Sequence, residues 1–220
     1  MPIVLITGAN RGIGLALVKY YRDINYHVIG VCRQASSELS ANCQEIITGI
    51  SMQDNQAIRS LKHILGDRHI DILINNAGIL YDESFAELNF ESIELQIQVN
   101  ALAPLRVVSV LTDSLVSGSK VALITSRMGS IEDNTSGGRY GYRMSKAALN
   151  AAGKSLSHDL KSDGIAVAIL HPGLVSTAMI DFNGQVSPEC AAKQLAQRIE
   201  DLDLNNTGTF WHANGSILPW

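Results

Sequence analysis

The chain is short of charge, of cysteine and of long apolar runs, and each shortage closes off a class of protein. Charged residues make up 17% of its 220 positions, and no stretch gathers enough lysine or arginine to track a phosphate backbone. With a formal net charge of −4, nucleic acid is not an expected partner. Only three cysteines occur, Cys32, Cys43 and Cys190, well separated and without Cys-x-x-Cys or Cys/His spacing. Neither a disulfide framework nor a metal site is expected, and the thiols read as small buried hydrophobes. Apolar runs such as Val121–Ile124 fall far below the ~20 residues that span a bilayer. The opening Met-Pro-Ile-Val-Leu-Ile-Thr-Gly lacks the basic flank and cleavage site of a signal peptide. A soluble, cytoplasmic protein without membrane association is therefore expected. Linkers, repeats and low-complexity tracts are missing as well, so residues 1–220 read as one domain.

What is present is a regular alternation. Hydrophobic residues account for 46% of the chain, enough for a sizeable core. Short β-branched or aliphatic runs at Ile3–Thr7, His27–Val31, Glu45–Thr48, Ile70–Asn75, Lys120–Thr125 and Ile165–His171 read as buried strands. Between them, helical periodicity covers Gly12–Arg22, Met52–Leu65, Asn89–Ser117, Tyr142–Lys161 and Ser187–Glu200, with a weaker helix at Ala35–Asn42. Strands alternating with helices require right-handed crossovers, which predicts a doubly wound α/β fold with a mostly parallel sheet covered on both faces. Ligands bind such sheets beyond the carboxyl ends of the strands, so the residues directly after each strand carry the functional information.

After the first strand comes Thr7-Gly8-Ala9-Asn10-Arg11-Gly12-Ile13-Gly14. Gly8 permits a tight turn, Gly12 lets backbone approach a pyrophosphate, and Gly14 allows close helix packing, while the helix N-terminus offers oriented N–H donors to the anion. The second strand ends Val31-Cys32-Arg33-Gln34, without the carboxylate that would bind a free ribose 2′-hydroxyl. Arg33 instead presents a forked donor suited to a 2′-phosphate, and Arg11 can reach the same neighbourhood, which favours NADP(H) over NAD(H).

Further along, Tyr142-Arg-Met-Ser-Lys146 places a phenol and an ammonium four residues apart on one helical face. A free phenol titrates near pH 10, so reversible proton transfer at neutral pH needs a neighbouring cation. Tyr140 lacks that partner, because Met144 stands four residues beyond it. The strand ending at Thr125 delivers Ser126 to the same sheet edge.

The glycine turn, Asn75-Asn76-Ala77-Gly78, Asn100, Ser126, Tyr142/Lys146 and His171-Pro172-Gly173 follow the order of the short-chain dehydrogenase/reductase family, and the resemblance spans essentially the whole chain. The ending from Gly208-Thr-Phe210 to Asn214-Gly215-x-x-x-Pro219-Trp220 resembles sniffer-type carbonyl reductases and C-factor-like proteins. The resemblance implies a seven-stranded Rossmann-type sheet and the reduction of an aldehyde or ketone, or the reverse oxidation of an alcohol. Tyr142 would be the general acid, Lys146 would hold the nicotinamide ribose and depress the tyrosine pKa, and Ser126 would bind the carbonyl oxygen. Asn100 would complete a proton relay through water. Asn76, Ala77 and Gly78 would line the adenosine side, and Pro172, Gly173, Val175 and Thr177 the nicotinamide carboxamide. The acidic residue often found after the third strand is replaced by Gly49-Ile50-Ser51, which weakens the expected adenine contact and leaves Ile50 as the cofactor-binding position there. His171 reads as structural. The family also implies a homodimer or homotetramer through the two long helices, with Ala147, Ala148, Ala151 and Ala152 as compatible packing positions. An NADP(H)-binding regulatory protein of the C-factor type, with little turnover, is the alternative.

Two departures matter. Asp133–Arg139, reading DNTSGGR, lengthens the stretch between Ser126 and Tyr142, which leaves Thr125 and Ser130 as alternative hydroxyls. Only a short segment separates Thr177 from Ser187, where relatives carry a longer lid, so an open apolar cleft is expected, walled by Met179, Ile180 and Phe182 with Tyr81 and Met128.

Overall fold

In the computed structural model, which describes all 220 residues, seven strands form one sheet: β1 Ile3–Thr7, β2 His27–Val31, β3 Glu45–Ile47, β4 Ile72–Asn75, β5 Lys120–Ile124, β6 Ala166–His171 and β7 Phe210–His212. Their order is β3-β2-β1-β4-β5-β6-β7, and every pairing is parallel, so the sheet is wholly rather than mostly parallel. β7, which apolar patterning alone did not locate, is a three-residue edge strand beside β6.

Strand alternation divides the core into two layers. Val4 and Ile6 of β1, with Ile72 and Ile74 of β4, face a cluster that includes Leu15 and Leu17 of helix α1 (Gly12–Asp23) and Leu195 and Ile199 of α7 (Pro188–Glu200). Leu5 and Leu73 point the other way, toward Ile58 and Leu61 of α3 (Asn55–Leu65), Val107 of α5 (Ala103–Val110) and Leu149 of α6 (Tyr140–Asp159). A period of two thus buries both faces of each central strand, as a doubly wound sheet requires. Gly153 lets α6 lie close against the sheet: a Cβ there would stand 2.7 Å from Ile169 Cγ1 and 2.8 Å from Leu123 Cδ1.

Element ends differ from the apolar pattern for identifiable reasons. The helix expected from Met52 starts at Asn55, because the Asp54 carboxylate caps it, accepting from the Gln56 and Ala57 amides at 2.8 and 3.2 Å. The weak helix at Ala35–Asn42 is the six-residue α2, Ser37–Asn42, capped by Ser36. The expected Asn89–Ser117 helix is three pieces: α4 (Phe90–Ile97), a π-helical turn at Gln98–Leu102, and α5, which is followed by a short 3₁₀ turn at Thr112–Ser114. The catalytic-region helix begins at Tyr140, two residues before the expected start, and ends at Asp159. No helix is long and apolar enough to cross a membrane.

Candidate active site

Strand order reverses between β1 and β4, and a cleft of about 860 Å³ opens over the carboxyl ends there, as the topology dictates. At one end lies the glycine turn. Gly8 (φ 68°) and Gly12 (φ 55°) are left-handed, and a Cβ on Gly14 would sit 2.2 Å from the Gly8 carbonyl oxygen, so no side chain fits there. The turn is locked to β4 by Asn76, whose Nδ2 donates to the Thr7 and Gly8 carbonyls at 3.0 and 3.2 Å, while Thr7 Oγ1 accepts from the Asn76 and Ala77 amides. Asn76 therefore shapes the cradle as well as facing it. Thr177 closes the far side, its Cγ2 within 3.3 Å of where a Gly12 Cβ would stand. Asn10 offers its carbonyl to Ser36 Oγ at 2.8 Å, which ties the turn to α2.

The N-terminus of α1 has no acidic residue in its first turn, and Arg11 at the cap position makes no side-chain capping bond. Its free N–H groups and Ile13 face the cleft, suited to an anion. Arg11 and Arg33 are exposed and border the same end of the cleft, as does Ile50. A cradle that excludes Cβ atoms, an open helix terminus and two unpaired arginines fit a dinucleotide carrying an extra phosphate.

At the other end three buried side chains converge. Ser126 is the second residue after β5 and α6 carries both Tyr142 and Lys146; all three border the cleft. Lys146 Nζ lies 5.8 Å from the centre of the Tyr142 ring and donates to the Ile124 carbonyl at 2.9 Å. Burial pushes the Tyr142 phenol above its ordinary pKa, a shift that the Ser126 hydroxyl and the Arg139 guanidinium oppose. Burial alone pulls Lys146 down to about 8. At the phenol, desolvation outweighs the Ser126 hydrogen bond and the Arg139 charge.

Asn100 is fully buried in the π turn, and its side chain is committed. Nδ2 donates to the Ile79 carbonyl at 2.8 Å and to Ser145 Oγ at 3.0 Å, and Oδ1 accepts from the Ile79 amide at 2.8 Å. It clamps the segment after β4 to α6 and does not border the cleft, and Gly78, which does, leaves room for it and for Lys146 Nζ. The alternative hydroxyls are engaged elsewhere: Thr125, which also lines the cleft, donates to Asn150 Oδ1 at 2.7 Å, and Ser130, which does not line it, donates to the Trp220 main-chain oxygen at 3.0 Å.

Pro172, Gly173 and Val175 form the wall after β6, together with His171. His171 packs edge-on against His212 with ring centroids 4.9 Å apart, and burial, with the positive surroundings, pulls its pKa to about 3. An imidazole held neutral there is a wall, not a proton carrier. The short segment after Thr177 folds back on itself, Ser176 donating to the Val186 carbonyl at 2.8 Å, and leaves Met179, Ile180 and Phe182 on the cleft rim. Met128 joins them, whereas Tyr81 is not part of the cleft lining. Of the cysteines, Cys32 is buried, Cys43 half-buried and Cys190 exposed on α7, so only the first matches the expected burial.

One contributor escaped the sequence reading. Glu83, 4% exposed, accepts from Ser92 Oγ (2.8 Å), Gln96 Nε2 (2.6 Å) and the Gly141 amide (3.2 Å). It supplies the anionic cap that Arg139, the left-handed residue before α6, does not.

The short chain dehydrogenase family profile matches residues 2–186, and the chain belongs to that family. Over its full length it is 35% identical to the 1-hydroxy-2-glutathionyl-2-methyl-3-butene dehydrogenase of Rhodococcus sp. (strain AD45), covering 100% of both chains. It is 39% identical to the C-signal protein of Myxococcus xanthus over 155 residues, 69% of this chain and 93% of that one. Its backbone matches the carbonyl reductase Sniffer of D. melanogaster with a TM-score of 0.91 at 30% identity, covering 100% of both chains. A carbonyl reductase from Pseudomonas aeruginosa PAO1 in complex with NADP matches at 0.86 and 32% identity, again over 100% of both.

Proposed function

We propose that this member of the short-chain dehydrogenase/reductase oxidoreductases is an NADPH-dependent carbonyl reductase that converts an aldehyde or ketone to its alcohol. The observation carrying the reading is the convergence of buried Tyr142, Lys146 and Ser126 on the same cleft as the glycine cradle. The NADP-bound relative, with the arginines at the end of β2 and in the glycine turn, supports NADP(H) as the cofactor.

The glycine turn and the α1 N-terminus would hold the pyrophosphate, Arg33 and Arg11 the 2′-phosphate, and Pro172, Gly173, Val175 and Thr177 the nicotinamide end, all of them lining the same cleft. When bound, NADPH supplies the hydride. Ser126 orients the substrate carbonyl by donating to its oxygen. Tyr142 then delivers its proton to that oxygen, and a phenol whose pKa is raised by burial keeps the proton available at neutral pH. Lys146, held by the Ile124 carbonyl, restores positive charge beside the phenolate left behind. Asn100 and Glu83 act by fixing α6.

The test follows NADPH absorbance with a panel of aromatic and aliphatic aldehydes and ketones, alongside a fluorescence titration of NADPH binding. The reading expects binding and consumption. Tight binding with no consumption across the panel would instead favour a regulatory role like the one the C-signal name suggests.

A further inference from the structure

The catalytic hydroxyl of Ser126 sits at the start of an irregular segment, residues 126–133, that also carries Arg127, Met128 and Asp133 to the substrate end of the cleft. Such a segment has little intrinsic rigidity, since one 3₁₀ turn at Arg127–Gly129 is its only regular structure. Two clamps restrain it. On the inner side Gly129 presses against α6, where a Cβ would stand 2.7 Å from the Lys146 carbonyl carbon. On the outer side the main-chain oxygen of Trp220 accepts three hydrogen bonds: from Ser130 Oγ at 3.0 Å, from the Glu132 amide at 3.2 Å and from the Ile131 amide.

Trp220 is itself held. Its ring stacks on Phe210 of β7 with centroids 5.5 Å apart, and Leu218, buried against Phe210, donates to the Phe210 carbonyl at 2.9 Å. From Ser130 the restraint passes inward. The Asp133 amide donates to Ser130 Oγ at 3.1 Å, the Asp133 carboxylate pairs with Arg127, and the Met128 amide donates to Ser126 Oγ at 3.1 Å. We propose that the Pro219–Trp220 tail is a positioning element, whose main-chain oxygen fixes residues 126–133 and so sets the Ser126 hydroxyl and the Arg127–Met128 wall against the substrate carbonyl. This rests on the reductase reading for its kinetic consequence, though not for the restraint itself. The glycine turn and the loops after β2 and β4, which take the phosphates and adenosine in this reading, share no hydrogen bond with Pro219–Trp220, so the effect falls on the carbonyl substrate more than on NADPH affinity.

The experiment compares the wild type with a chain lacking Trp220, with Ser130→Ala and with Ser130→Thr, which keeps a hydroxyl. Deletion of Trp220 and Ser130→Ala each lower kcat/KM for the carbonyl by about tenfold, about 1.4 kcal/mol of barrier, with the NADPH Kd unchanged. Ser130→Thr recovers most of the loss. Amide hydrogen exchange accelerates at residues 127–133 in the first two variants and nowhere in the glycine turn. Folded variants with wild-type kinetics and unchanged exchange in that segment overturn the proposal. If the chain without Trp220 does not fold, the two Ser130 variants decide. A wild type that reduces no carbonyl defeats the reductase reading, while the exchange measurement still tests the tether.

Discussion

At the residue scale, the pair most visible in the sequence was Tyr142 and Lys146, because a four-residue spacing on a helix brings two side chains together with no knowledge of the rest of the fold. Their electrostatics were less visible, since burial depends on what packs above them. Lys146 carries its charge below about pH 8 and loses it above. The account therefore predicts that kcat/KM for reduction falls as pH rises through about 8, and a pH-rate profile of the free enzyme checks it. Arg33 was legible as a cationic replacement for the usual carboxylate. Arg33→Ala is expected to weaken NADPH at least ~10-fold more than NADH, a difference of ~1.4 kcal/mol, read by parallel titrations. Glu83 was not legible, because its donors come from Ser92, Gln96 and Gly141, the last of them 58 positions away. Removing this carboxylate strands three donors in the interior. Glu83→Ala should cost about 2–4 kcal/mol in a denaturant titration, most of it from unsatisfied groups.

At the scale of elements, the positions of β1 to β6 emerged within one or two residues, since a run of β-branched residues ended by a glycine or a polar turn is a local signal, while the three-residue β7 did not. Helix ends fared less well where the decisive contact was tertiary. The expected long helix after Asn89 breaks at a π turn because Asn100 is drawn to Ile79 and Ser145, partners that no local pattern reveals. The start of α6 moved to Tyr140 for a related reason: Glu83, from a different loop, caps it. Gly141 marks that junction, since a Cβ there would lie 2.5 Å from Gln96 Nε2 and 2.9 Å from Ile93 Cα. Gly141→Ala, favourable by helix propensity alone, is therefore expected to destabilise the protein by about 1–3 kcal/mol through overpacking, measured by thermal or chemical unfolding.

At the scale of the whole molecule, the parallel order β3-β2-β1-β4-β5-β6-β7 accounts for the joining of a phosphate cradle and a proton donor in one cleft, because every strand delivers its following loop to the same edge. That much followed from the alternation of strands and helices. The quaternary arrangement is a separate proposal: Leu102, Leu105 and Met144 are 42%, 39% and 51% exposed, and Ala148 and Ala151 of α6 are also exposed. An apolar face of this kind suits a two-fold contact between copies, and light scattering is expected to give a dimer or tetramer that Met144→Arg shifts toward monomer. The central claim is the proton donor, and the most direct measurement is a rapid-mixing trace of NADPH oxidation by Tyr142→Phe beside the wild type, on a carbonyl the wild type reduces. The account predicts an unchanged NADPH Kd and a rate reduced by at least ~10²-fold, the contribution of a positioned general acid; equal rates from the two proteins would contradict it.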